Sequence, residues 1–305
     1  MEFDIRKLNT YPTAKLLFEI TGIFLAVGFF VTSLYLVYRH TLGSMTTLAW
    51  MPWGYSELLI NYNAGFVRRG LLGALIRACS GGRSALPVTN VLIFANYVLL
   101  ILSVITLALK TAYIKVWNAV FVLVIPGGIF AMGISHEFFY RKEAFFYSAL
   151  ALSALAVSFL NNIKHSILKH SAAYCIIGLI YLFSILFMLI HEAFLFLAAP
   201  ANLFLLIAAA RTIETTPDPS KKDFGFEKSI ILTYASTITL LFLCMAYFRG
   251  GESTAVHIWN NLNTTDKFMI SSDGTIYGGI AAVGWDFGDV LYNALRVLIG
   301  GMAWY

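Results

Sequence analysis

Seven stretches of this 305-residue chain run for about 17–23 residues with at most one charged side chain each: 16–38, 87–109, 116–134, 144–160, 172–190, 193–210 and 229–248. An α-helix rises ~1.5 Å per residue, so ~20 apolar residues cross a hydrocarbon core ~30 Å thick. Inside hydrocarbon every backbone N–H and C=O must find its partner within the segment, which leaves a helix as the outcome for an apolar run of this length. The composition agrees: 59% of residues are hydrophobic and 12% charged, against ~25% charged in soluble domains. The expected fold is all-α. It is a polytopic membrane helix bundle of about seven or eight spans, forming a single membrane domain over 1–305, with 287–305 as the additional candidate. Residues Met1 to Lys15 are polar and include Glu2 and Asp4, which argues against a cleaved signal peptide.

The run from Ala172 to Ala210 is broken only by His191-Glu192. As one helix it would be nearly twice the bilayer thickness, so two helices joined by a tight turn at His191-Glu192 are expected. With the N-terminus on the cytoplasmic side, the inner segments 1–15, 110–115, 161–171 and 211–228 hold nine of the eleven lysines, as the positive-inside rule requires. Arginine does the opposite. Arg39, Arg68, Arg69, Arg77, Arg83, Arg141 and Arg249 fall on the outer side, and Arg6 and Arg211 inside. With both residue types counted the bias is 11 inside against 9 outside. The segregation itself carries information. Lysine is a point charge suited to headgroup anchoring, whereas arginine presents a rigid fork for bidentate binding of phosphate or carboxylate.

The first outer loop, 39–86, is expected to hold a short membrane-surface helix over Tyr55–Asn61. An amphipathic or re-entrant helix over Phe66–Cys79 would follow, so that 55–79 forms an interfacial segment. The polar, Gly-rich stretch 249–286 is expected to fold over the same face. Cys79, Cys175 and Cys244 have no metal-type spacing; the two in apolar runs are expected to be packing residues. The net charge of +5, spread over loops, points to topology and anionic lipid headgroups and not to nucleic acid.

Ionisable residues gather on the outer side. The double arginine Arg68-Arg69 lies in an apolar, glycine-punctuated run, Gly65-Phe66-Val67-Arg68-Arg69-Gly70-Leu71-Leu72-Gly73. Charge near hydrocarbon is costly and calls for an anionic partner. That partner is either a phosphate of a ligand, phospholipid headgroups, or Glu57 in a structural ion pair. His191-Glu192 is either a base-bearing site or a polar turn capping two helix ends. Ser135-His136-Glu137-Phe138-Phe139-Tyr140-Arg141-Lys142-Glu143 packs one histidine and four charged residues into nine positions. Glu137 and Arg141 there either pair at i, i+4, or Arg141 and Lys142 form a second anion contact, supported by His136, Glu137 and Glu143. His136, His191, Glu137 and Glu192 make an N/O donor set in which a divalent metal remains an alternative, although no local metal-binding spacing is present.

These stretches resemble two related groups, multi-pass GT-C glycosyltransferases and bacterial surface-polysaccharide polymerases. Tyr55-Ser56-Glu57 through Gly73 is similar in layout to the first outer loop of the glycosyltransferases, which holds an essential acidic residue ahead of an amphipathic segment. The Arg141-Lys142-Glu143 and His191-Glu192 motifs look like those of the polymerases. The resemblance covers 55–73, 135–143 and 191–200, and is one of layout and short motifs. It implies sugar transfer from an undecaprenyl-(pyro)phosphate-linked donor to a glycan acceptor on the outer face of a bacterial inner membrane, with no organic cofactor. Glu57 or Glu192 would be the base, and His191, read from the residues alone, either orients the acceptor or binds metal. Arg68, Arg69, Arg141 and Lys142 would hold the phosphate. The alternative from another class is a transporter or flippase of a lipid-linked or anionic substrate, which would want polar groups at mid-membrane and repeated halves.

Overall fold

The computed structural model describes residues 12–44, 52–111, 139–213, 225–271, 278–284 and 288. Among these the secondary structure is all helical. In chain order the α-helices are α1 Pro12–His40, α2 Pro52–Leu58, α3 Gly70–Ser80, α4 Leu86–Thr111, α5 Glu143–Leu160, α6 Ser166–Ile190, α7 Phe194–Leu197, α8 Ala199–Arg211, α9 Gly225–Tyr247, α10 Glu252–Asn260 and α11 Thr264–Ile270. Three 3-10 segments, Leu42–Ser44, Tyr62–Ala64 and Gly278–Gly284, join them.

Five helices are long and apolar enough to cross a membrane: α1, α4, α5, α6 and α9. The expected spans at 116–134 and 287–305 lie outside the described residues. The run at 193–210 is not one continuous helix. It divides at Ala198 into the four-residue α7 and the 13-residue α8. Pro200 opens α8, and a proline at a helix start lacks the N–H that a continuous helix would have to donate backwards. Between the membrane-length helices the hydrophobic effect gives little drive, because lipid tails are as apolar as the side chains; close packing and interhelical hydrogen bonds hold the bundle. The broad α4–α5 contact buries Ala144, Ser148 and Ala151, and Ser148 donates to the Asn96 carbonyl at 3.2 Å. Ser184, Tyr234 and Asn202 link α6, α9 and α8 in the same way. The two cysteines expected to pack depart from that expectation. All three are exposed, because Cys175 and Cys244 fall on the outward stripes of α6 and α9.

Contacts at the helix termini define two ends of the bundle. At one, Tyr140 bonds both Asn90 and the His40 carbonyl, and the Arg68 N–H donates to the Phe248 carbonyl. At the other, Lys110 lies over the Phe159 ring and Arg211 pairs with Glu227. Arginines 39, 68, 69, 77, 83, 141 and 249 therefore collect at one end, and lysines 110, 164, 169 and 228 at the other.

The arginine-rich end carries a polar cap. Helix α2 forms there, over Pro52–Leu58, and is packed within protein. Residues 54–61 are buried, with Gly278–Gly284 and α11 packed on them. Gly279 lies so close to Glu57 that any Cβ would overlap it, and the Gly279 N–H donates to the Ser56 hydroxyl at 3.1 Å. On the other side Gly73 of α3 rests on the Ile60 carbonyl, again with no room for a Cβ. Asp266 of α11 accepts hydrogen bonds from the Tyr55 hydroxyl (2.9 Å), the Ser84 hydroxyl (2.6 Å) and the Ala85 N–H. One carboxylate thus ties α2, α11 and the start of α4 together, at a helix N-terminus where negative charge is favoured.

Candidate functional site

The site begins with a backbone irregularity. The expected helix over Phe66–Cys79 starts only at Gly70, because Arg69 adopts φ 65°, the only left-handed non-glycine residue described. A side chain in that conformation costs roughly 1–2 kcal/mol, and strain of this kind persists only where surroundings hold it in place. Here they do. The Lys142 ammonium, wholly buried, donates to the Arg69 carbonyl at 3.2 Å. The Arg69 guanidinium is gripped from two sides. Its Nε donates to both Glu192 oxygens at 3.0 and 2.9 Å, and its Nη2 also donates to Glu192. Its Nη1 donates to Glu57 Oε1 at 3.2 Å.

His191 closes the ring. It is the residue just past α6, and its extended backbone turns the chain into α7. Its Nε2 lies 3.2 Å from Glu57 Oε1, and its Nδ1 accepts from the Ala193 N–H at 3.1 Å. Those two bonds specify the tautomer protonated at Nε2, which donates to Glu57. Arg68 approaches Glu192 at 3.8 Å. Six groups from four separate segments thus meet: Glu57 from α2, Arg68 and Arg69 from the turn before α3, Lys142 before α5, and His191-Glu192 after α6. Each is less than a tenth exposed.

Burial alone would raise the Glu57 carboxyl, but the hydrogen bond from His191 and the charges of Lys142 and Arg69 override it and hold it well below the usual carboxylate range. Glu192 is likewise raised by burial, then held low by Arg69 first and by Arg68. Both are ionised. Burial pushes Lys142 down to about 8, with Arg69 acting in the same sense and Glu57, Glu192 and Glu143 against it. With three cations facing two carboxylates, the knot leans positive.

Of the residues singled out from sequence, Glu57, Arg68, Arg69, Lys142, His191 and Glu192 come together. Arg141 and Glu143 flank Lys142 and are half-buried. Helix α5 starts at Glu143, so Arg141 precedes it. His136 and Glu137 lie outside the described residues, and with them any metal set that includes them. Among the described residues no group of three or more His, Cys, Asp or Glu is arranged to hold a metal. Two site features had no distinctive signal in the sequence. Asp266 is one of several acidic residues in the 249–286 stretch, and Gly279 one of several glycines.

Compared with protein-family models, curated proteins and solved structures, the chain matches none.

Proposed function

We propose that this chain is a membrane glycosyltransferase or glycan polymerase, acting at the arginine-rich end of its bundle on a saccharide linked to undecaprenyl phosphate or pyrophosphate. One observation carries the reading. The Arg69 fork is filled by the two oxygens of Glu192, the bidentate geometry that a phosphate would also take. A buried ion-pair knot is a poor device for stability alone, since well-packed apolar residues of the same volume serve as well or better. Buried charge clusters with strongly shifted protonation are enriched at functional sites.

The chemistry follows from exchange at that fork. A donor phosphate replaces Glu192 on Arg68 and Arg69. Released from its cations, Glu192 regains basicity toward the ordinary carboxylate range, while Glu57 stays fixed by His191. An acceptor hydroxyl then attacks the anomeric carbon of the donor. The new C–O bond forms, the bond from the anomeric carbon to the phosphate oxygen breaks, and the hydroxyl proton passes to the Glu192 carboxylate. The lipid phosphate departs with its developing charge held by the arginines, which is electrostatic stabilisation of the transition state. The working orientation places this end on the outer face of a bacterial inner membrane with the N-terminus cytoplasmic, and the lysine-rich opposite end supports it.

The test uses Arg69→Lys, Glu57→Gln and Glu192→Gln in cells that carry the variant as their only copy. Glycan chain length and lipid-linked intermediates are then followed. A transferase leaves unpolymerised lipid-linked units on the outer leaflet; a flippase leaves them on the inner leaflet. Normal glycans in all three variants would overturn the reading.

A further inference from the structure

A second basic region lies apart from the knot. The α3–α4 turn and the α10–α11 turn enclose an open cleft of about 200 Å³ lined by Asn61, Arg77, Arg83, Asn261, Asn263 and Asp266, among others. Sites that enclose a whole drug-sized ligand measure roughly 300–1,000 Å³, so this one suits a headgroup and not a complete molecule.

Each asparagine side chain of the lining is held by a bond to the backbone. Asn61 donates to the Leu59 carbonyl at 3.0 Å and Asn261 to the His257 carbonyl at 2.9 Å. Asn263 donates to the Gly82 carbonyl at 3.2 Å and accepts from the Thr265 N–H. They fix the walls. The arginines supply the charge. Arg77 donates to the Asn261 carbonyl at 2.9 Å, and the Asn63 amide oxygen, turned toward it, accepts a further bond. Both partners are neutral, so Arg77 is positioned without being neutralised. Arg83 is exposed at the rim. Among the described residues neither arginine forms an ion pair with a carboxylate. The one carboxylate in the lining, Asp266, is buried and turned onto Tyr55, Ser84 and Ala85. Lys267 adds a further cation on α11, with its ammonium on the Asn260 carbonyl at 3.0 Å. The local balance is positive, with the Arg77 fork directed by neutral acceptors.

We infer that this cleft binds a phosphate-bearing headgroup through Arg77 and Arg83. Arginine forks match phosphate oxygens bidentately, and the rigid walls spare most of the ordering cost of binding. The site is independent of the transferase reading, because it shares no charged residue with the knot.

Two sources can supply the phosphate: a soluble or lipid-linked phosphate ester, or an anionic phospholipid of the surrounding membrane. The experiment uses the full chain in phosphatidylcholine nanodiscs titrated with inorganic pyrophosphate, followed by calorimetry at low and high salt. Wild type binds, and binding weakens as salt screens the charges. Arg83→Gln, which removes no hydrogen bond of the cleft wall, weakens binding roughly tenfold. In an Arg69→Met, Glu192→Leu background, which removes the phosphate-accepting fork of the knot, Arg77→Gln together with Arg83→Gln abolishes it, while Arg77→Lys with Arg83 intact retains part. A second set of nanodiscs contains phosphatidylglycerol. If pyrophosphate still binds there, the cleft selects the phosphate ester; if phosphatidylglycerol competes it away, the resting occupant is a lipid headgroup. Absence of pyrophosphate binding to wild type, or equal binding by Arg83→Gln and the double variant, would overturn the inference. Neither result touches the Glu192 test above, so the two readings fail separately.

Discussion

Arg69 and the Arg77/Arg83 pair lie on either side of one short helix, yet they meet opposite fates. At the N-terminal end of α3, Arg69 is buried, left-handed and bonded to two carboxylates. At the far end Arg77 meets only neutral acceptors and Arg83 stands at the rim. The contrast shows that an arginine-rich face does two kinds of work. Where α2, α5 and α6 converge, arginine is compensated internally and organises the cap. Where α3 runs out over an open cleft, arginine meets no carboxylate among the described residues.

The largest effect that sharpens this contrast is expected in stability. Glu192→Ala strips Arg69 of its main partner and leaves buried cations uncompensated, which costs about 3–5 kcal/mol. Arg83→Ala, at the rim, stays within about 0.5 kcal/mol. Thermal unfolding of the two purified variants in detergent checks the pair. Similar losses would erase the distinction between the two ends of α3.

Next comes a pH dependence confined to the knot. Lys142 is held down to about 8 from 10.5, so the folded state binds fewer protons than the unfolded chain between those values. Stability therefore rises with pH across that window, by on the order of 3 kcal/mol. Below about pH 8 the penalty of the buried ammonium is fully present. Lys142→Met removes that rise, which denaturant titrations at pH 7.5 and pH 10 would reveal. At the acid side the slope has the same sign: Glu57 and Glu192, held low, lose their contribution as the pH falls below the ordinary carboxylate range.

The smallest expected effect concerns the bond that closes the cleft floor. Tyr55→Phe deletes one donor to Asp266, which keeps its bonds from Ser84 and Ala85, and costs about 1 kcal/mol. Amide exchange at the start of α4 should increase while the knot stays protected. Equal loosening of both would mean that cap and cleft open as one unit.

Much of the bundle was legible in the sequence, because hydropathy over 20 residues is a local property. The expected runs 16–38, 87–109, 144–160, 172–190 and 229–248 fall within or almost within α1, α4, α5, α6 and α9. The run at 193–210 conceals a break, because its apolar composition gives no weight to Pro200, whose missing N–H restarts the helix. The convergence of Glu57, Arg68, Arg69, Lys142, His191 and Glu192 could be anticipated as a shared face, since charges in an apolar chain need partners. Which partner each takes could not. Arg69 finds Glu192 across 123 positions and Tyr55 finds Asp266 across 211, and no local pattern encodes such pairings. The burial of α2 was equally hidden, because it depends on Gly279 approaching Glu57 from the far end of the chain.

The central claim is that the knot is kept for chemistry and not for folding. Its most direct test is the pair Arg69→Met with Glu192→Leu, which replaces charges by apolar groups of similar size, measured by transfer of a saccharide from undecaprenyl-pyrophosphate donor to acceptor glycan in reconstituted vesicles. The account predicts a protein that unfolds at a temperature close to or above that of wild type and transfers no sugar. Wild-type transfer by that folded double variant would contradict it.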